Sequence, residues 1–185
     1  MKVLGLPGSL RTGSHNLALL RAAALELPPG AELAIWDRIG ELPIYDPELD
    51  VEPAHPVVQD LRDAIAGADA VLVSTPEYNG SLPGGLKNAL DWASRPFATN
   101  VLRDKPAGAI GATTGLFGAV WAQAEARKVL NTIGARVIEH EVPVGLAHEA
   151  FDEGGRLKDD LQAEMLRDAV GALVREVRAP LEVAA

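Results

Sequence analysis

Short apolar runs along this chain alternate with longer stretches in which apolar residues recur every three or four positions, the pattern of strands interleaved with amphipathic helices. Residues 2–6 make the first run, and Ser14 is placed to cap a helix over about 15–27, with Leu17, Leu20 and Ala24 at helical spacing. Ala31 to Trp36 read as a second strand, and Pro56 suits the first turn of a helix reaching about Ala66. Ala68 to Thr75 are expected as strand three, around the buried run Ala70-Val71-Leu72-Val73-Ser74. Leu86, Ala89, Leu90 and Ala93 then share one face of a third helix. Ala107 to Ala112 form strand four, followed by a helix to about Ile133 that Gly134 closes. Ala135 to Val142 read as a single fifth strand. The last helix runs from about Lys158 to Arg178, with Leu161, Met165, Ala169 and Leu173 on its buried stripe. Beyond about Ala179 the tail is expected to fray.

Five strands alternating with five helices predict an α/β fold, a doubly wound five-stranded parallel sheet with helices on both faces. In the flavodoxin-like order 2-1-3-4-5, the switch point falls between strands one and three, and ligands bind outside the carboxyl ends of the strands there. No repeat or composition break divides the chain, so residues 1–185 are expected to form one domain. The long loop over 37–55, with Gly40, Pro43, Pro47 and Pro53, is of a length more often functional than idle.

Composition removes several classes of chemistry. The chain has no cysteine, which excludes disulfides, thiolate catalysis and iron–sulfur ligation. His15, His55, His140 and His148 show no close ligand spacing, so no metal site is assigned. A net charge of −9 disfavours nucleic acid and anionic membrane as partners, though a local basic pocket could still hold one phosphate. The first residues match no signal peptide and no apolar stretch is long enough to span a bilayer, so a cytoplasmic protein is the expectation.

Three loops converge in this topology. The first, Gly8 to Asn16, offers Ser9, Thr12, Ser14 and Asn16 as donors, Arg11 as a cation and the free amides of a helix N-terminus, the groups a phosphate monoester needs. It is not a P-loop, because Ser14 and His15 stand where Lys and Ser/Thr are required, and Gly5 and Gly8 do not fit the dinucleotide spacing. A helix merely capped by Ser14 is the bland alternative. The second loop begins at Pro76 and is polar or turn-forming up to the third helix, apart from Leu82. The third, Gly111 to Gly118, carries small side chains that let a flat ligand approach the backbone, or simply connects strand to helix.

The motifs Gly8-Ser9-Leu10-Arg11-x-x-Ser14-x-Asn16 and Pro76-Glu77-Tyr78-Asn79-Gly80-Ser81-Leu82-Pro83-Gly84-Gly85-Leu86-Lys87-Asn88-Ala89-Leu90-Asp91-Trp92 carry a resemblance from Lys2 to about Leu173. The chain resembles the NADPH-dependent FMN reductase family of flavodoxin-like proteins, which includes quinone, chromate and azo-dye reductases. The resemblance implies FMN phosphate on Ser9, Arg11, Ser14 and Asn16. It puts the isoalloxazine ring against Pro76, Glu77, Tyr78, Asn79 and Gly80, with Thr113, Thr114 and Gly115 closing the far side. Asp46 matches a family position near the pocket mouth. The family often has a serine and an arginine where Thr113 and Trp121 stand here.

What the resemblance implies functionally is an FMN-dependent NAD(P)H oxidoreductase. NADPH or NADH would pass hydride to FMN N5 in a ping-pong cycle, and a quinone, azo compound, metal oxyanion or free flavin would then be reduced. No side chain is assigned a catalytic role, because the cofactor carries the chemistry. Glu77 is expected to matter through its loop amide rather than as a base. Lys87 either meets a ligand or pairs with Asp91 at i+4, and Tyr78 covers the ring edge or fills an interface. Ser81 lies outside any nucleophile elbow. The acids Asp152-Glu153 and Asp159-Asp160 read as solvated surface. A flavodoxin-type electron carrier without direct NAD(P)H turnover is the alternative reading, and a flavin- or nucleotide-binding sensor is a third. Family resemblance further implies a homodimer or homotetramer, with Leu90, Trp92, Phe97 and Phe117 as candidate interface residues.

Overall fold

A computed structural model describes residues 1–179; the expected fraying of the tail falls on residues outside these. Strands β1 (Lys2–Pro7), β2 (Glu32–Ile35), β3 (Ala70–Thr75), β4 (Pro106–Ala112) and β5 (Arg136–Val137) form a parallel sheet in the order β2-β1-β3-β4-β5. Helices α1 (His15–Leu25) and α5 (Asp160–Arg178) cover one face; α2 (Pro56–Ala66), α3 (Gly84–Ala93) and α4 (Val120–Ile133) cover the other. Along β3 the side chains alternate between the two cores. Val71 and Val73 pack with the second group of helices, Ala70 and Leu72 with the first. Both faces being covered explains why the strands read as unbroken apolar runs.

The expected fifth strand is two pieces. After β5 the chain leaves the ladder and returns as β6 (Pro143–Val144), which pairs with the far end of β4 at Gly111 and Ala112. The cause is Gln123 on α4, whose side chain is fully buried. Its Oε1 accepts from Val142 N at 3.0 Å, a backbone donor that a continuous ladder would have paired, and its Nε2 donates to Gly118 O at 2.8 Å in the loop after β4. Gly118 and Gly145 sit where a Cβ would meet backbone, at 2.2 Å from Pro143 C and 2.4 Å from Leu116 O respectively, which lets the two loops interlock.

Other departures are local. Helix α5 begins at Asp160 because the Asp159 side chain accepts from Gln162 N, so one of the acids read as surface is a helix cap. Its buried stripe is Leu166, Ala169, Val170, Leu173 and Val174, whereas Leu161 is 66% exposed. Leu161 precedes Leu166 by five residues, about 140° around the helix. Leu90 and Trp92 belong to the core at 0% and 1% exposure and are not interface residues, while Phe97 and Phe117 are exposed. Trp92 Nε1 and Asn88 Nδ2 both donate to Pro43 O, and Tyr45 N donates to Asn88 Oδ1 at 2.7 Å. The long loop is thereby pinned to α3.

Replacing Gln123 by Met keeps the volume and removes these bonds. Urea denaturation of Gln123→Met is expected to show a loss of about 2–3 kcal/mol with native circular dichroism at rest; an unchanged midpoint would mean the Val142 amide finds another acceptor.

Candidate functional site

The loops after β1, β3 and β4 meet at the carboxyl end of the sheet around one buried side chain. Asn16, 2% exposed in the first turn of α1, accepts at Oδ1 from Ser74 Oγ (2.9 Å) and Ala112 N (3.0 Å) and donates Nδ2 to Ala112 O at 2.9 Å. Its oxygen is thus fully engaged with protein, which leaves one side-chain proton and the backbone amide toward a ligand. Gly8 comes close as well: its amide donates to Ser74 O at 2.8 Å, and a Cβ there would lie 2.9 Å from Leu86 Cδ2.

Between these anchors the first loop turns through Gly13, at φ +70. Arg11 Nη2 donates to Gly13 O at 2.8 Å, which holds the guanidinium over the loop with its other donors open. Ser14 Oγ accepts from Leu17 N at 3.2 Å as the cap of α1, so the capping reading holds and the hydroxyl proton remains available.

In the second loop Asn79 and Gly80 have φ of 55 and 73, and Tyr78 and Ser81 exchange backbone hydrogen bonds at 3.1 and 3.2 Å. This is a type I′ turn, for which Asn-Gly is the preferred pair. Tyr78 N is therefore occupied; among the described residues, the amides of Glu77, Asn79 and Gly80 donate to no protein acceptor. The Glu77 carboxylate accepts from Trp121 N (3.1 Å) and Ala122 N (3.2 Å). It caps α4, whose own N-cap residue, Ala119, has φ 61 and offers no side-chain acceptor. The reverse contact comes from Glu125 on α4, which accepts from Ser81 Oγ and from Leu82 N. The Ser81 bond first, then the Leu82 amide, hold the Glu125 carboxyl below the usual glutamate range. Two carboxylates thus lock the loop to the helix from both sides. Residue order alone did not show this, although a helix starting at Val120 with Ala119, and no Ser, Thr, Asp or Asn, at its cap position was the signal for a cap from elsewhere.

The third loop is fixed by β6 and the segment after it: Thr113 N donates to Val144 O, Ala147 N to Thr113 O and Leu146 N to Gly115 O, each at 3.0 Å.

The three loops enclose a cleft of about 200 Å³. Of the residues expected at a site, Ser9, Arg11, Asn16, Pro76, Glu77, Tyr78, Thr113 and Thr114 line it, joined by His15 and Ala112. Ser14 faces an adjoining groove with Asp37, Arg38 and Glu41. Asn79, Gly80 and Gly115 are not on the wall of either. Asp46 caps the short turn Pro47–Leu49 through Glu48 N, and Lys87 pairs with Asp91 at 2.7 Å. Trp121 is 52% exposed and packs edge-on against Phe117, centroids 5.3 Å apart. Among the described residues no group of three or more His, Asp or Glu could hold a metal, and no helix is long and apolar enough to cross a membrane.

The family model for NADPH-dependent FMN reductase matches residues 1–149. An NAD(P)H-dependent FMN reductase of Pseudomonas aeruginosa is 41% identical over 179 residues, 96% of either chain. An NADPH:quinone oxidoreductase of Arabidopsis thaliana is 38% identical over 180 residues, 94% of this chain and 90% of that one. Among solved structures, the flavoenzyme NAD(P)H:(acceptor) oxidoreductase FerB of Paracoccus denitrificans superposes with a TM-score of 0.83 at 35% identity, covering 96% of this chain and 97% of that one.

The capping role of Glu77 separates the two obvious substitutions. Glu77→Ala strips two α4 amides of their acceptor and is expected to lower unfolding free energy by about 1–2 kcal/mol. Glu77→Gln keeps an oxygen there and is expected to recover about half of that loss. Equal losses in the two variants, measured by denaturation, would mean that the acceptor is not what counts.

Proposed function

The chain belongs to the NADPH-dependent FMN reductase family and is an oxidoreductase of that kind; on that footing we propose that it binds FMN in the cleft, oxidises NADPH or NADH, and reduces small acceptors of the quinone class in ping-pong order. The observation that carries the reading is the donor set. One guanidinium, several hydroxyls and a helix N-terminus lie beside a turn with three unengaged amides, all at the switch point of the sheet.

The residues present fit the cofactor. Arg11, Ser9, Ser14 and the first amides of α1 would hold the phosphate, with Asn16 contributing what its framework bonds leave free. Pro76 to Gly80 would lie along the ring and Thr113 to Gly115 beyond it. The Glu77 amide on the cleft wall, with those of Asn79 and Gly80 on the turn beside it, would supply hydrogen bonds to an electron-rich ring edge. FMN, when bound, supplies hydride uptake and release, so the protein's work is to bind, orient and leave one face open. The Glu77 carboxylate is held by α4, which removes it from consideration as a general base.

We read the assembly as a homodimer or homotetramer. In place of Leu90 and Trp92, the exposed apolar residues beside the cleft are Tyr78, Leu116, Phe117 and Trp121. They suit a surface that a second copy covers.

Purified protein reconstituted with FMN is expected to oxidise NADH or NADPH with a quinone, with parallel double-reciprocal plots. Arg11→Ala is expected to weaken FMN binding by about 10-fold to 100-fold. Flavin-loaded protein without NAD(P)H turnover would favour the electron-carrier alternative instead. In light scattering the wild type is expected above monomer mass and Trp121→Glu shifted toward the monomer; an unchanged mass would place the interface elsewhere.

A further inference from the structure

We infer that His15 is the second, conditional cation of the cleft, and that it meets the cofactor phosphate as an imidazolium, so that binding takes up a proton. The inference rests on the reading that FMN occupies this cleft. A phosphate monoester carries about −1.5 to −2 charges near neutral pH. Among the described residues on the cleft wall the only permanent cation is Arg11, part of whose guanidinium is engaged by Gly13 O. Glu77 also lines the cleft, its carboxylate taken up by the α4 amides, and the chain as a whole has a net charge of −9. A dianion would therefore be under-neutralised. The one other side chain on the wall that can become positive is His15, the first residue of α1.

The groups around His15 come from three elements: Arg11 on its own loop, Glu77 across the cleft, and His148 from the segment after β6, whose Nε2 lies 3.3 Å from Glu149 Oε1. Without ligand, burial above all, then Arg11 and His148, hold the imidazole below its ordinary value of 6.5. All three favour the neutral imidazole in the free protein. A phosphate in the cleft favours the charged form and raises that value. The sign follows from linkage: affinity rises as pH falls through the bound-state value, and levels off once His15 is protonated in the free protein too. A rise of one unit on binding gives up to a tenfold gain in affinity. The phosphate's own proton uptake near pH 6 works the other way. The comparison is therefore between wild type and variant at each pH.

Apoprotein is titrated with FMN, followed by flavin fluorescence, from about pH 5.5 to 8.5, a range that spans the ordinary histidine value. Wild type, His15→Gln and His148→Gln are compared, with riboflavin as the ligand lacking phosphate. The wild-type advantage over His15→Gln for FMN is expected to grow from near onefold at the alkaline end to about 5-fold to 10-fold near pH 6, with riboflavin showing no divergence. Carbon-13 imidazole NMR of the wild type is expected to show the His15 resonance titrating at higher pH once FMN is bound. Parallel FMN profiles for wild type and His15→Gln, an equal divergence with riboflavin, or a divergence confined to His148→Gln would overturn the role of His15 while leaving the FMN site standing. No FMN binding by any of the proteins at any pH would overturn the cofactor reading, and this inference with it.

Discussion

The ends of three structural elements are held in register by the primary amide of Asn16. Its oxygen takes Ser74 Oγ and Ala112 N, and its nitrogen returns a bond to Ala112 O. A parallel sheet has no hairpins to align the ends of its strands, so the depth at which each loop emerges must be set by other contacts. Here a buried polar group sets it, and in a low-dielectric interior such a group is stabilising only when its partners are in place. Ser74 couples the network to the first loop, because its carbonyl accepts from Gly8 N. Asn16 thus matters less as a ligand contact than as the joint that makes one cleft out of three loops.

Around that joint the walls are stiffened by charge used internally. The Glu77 carboxylate sits on amides at the positive end of α4, and Glu125 reaches back to Ser81 and Leu82. Each carboxylate satisfies donors that would otherwise face solvent or go unpaired, and together they make the turn at Asn79-Gly80 an extension of α4. That turn already has the backbone conformation its residues prefer. Local preference and long-range contact therefore agree, the condition for a pre-organised binding edge.

Much of this was legible in the residue order, and the limits of that legibility have physical causes. The apolar runs located β1, β3 and β4, because strands covered on both faces leave an unambiguous signal; the turn pair Asn79-Gly80 and the caps Ser14 and Gly134 are equally local. What stayed hidden depends on partners distant in sequence. The Asn16 to Ala112 bonds span 96 residues, Glu77 to Trp121 spans 44, and Gln123 to Val142 spans 19. Periodicity could not show that the fifth strand would be interrupted, since residues 135–142 look the same whether the Val142 amide pairs with a strand or with a glutamine. Nor could it separate a Trp92 that anchors a loop through Pro43 from one that faces a partner. The Leu161 reading failed because a series of i+4 steps drifts about 40° per step around the helix, which carries Leu161 off the stripe centred on Ala169 and Leu173.

The charge balance of the cleft gives the site its character. With net charge −9, the long-range field of the protein repels anionic ligands, but salt limits that repulsion to about 8–10 Å. Inside that range the Arg11 guanidinium acts together with dipoles: the first amides of α1, the hydroxyls of Ser9, Thr113 and Thr114, and the open amides of the second loop. Such donors discriminate by position rather than by charge, and their positions are fixed by Asn16, Glu77 and Glu125. A ligand with a phosphate at one end and a planar, hydrogen-bonding edge at the other engages all three loops at once. A ligand with only one of those features engages one or two. On the proposed function, selectivity for FMN would come from the rigidity of the loop junction, and an acceptor would meet only the face left open.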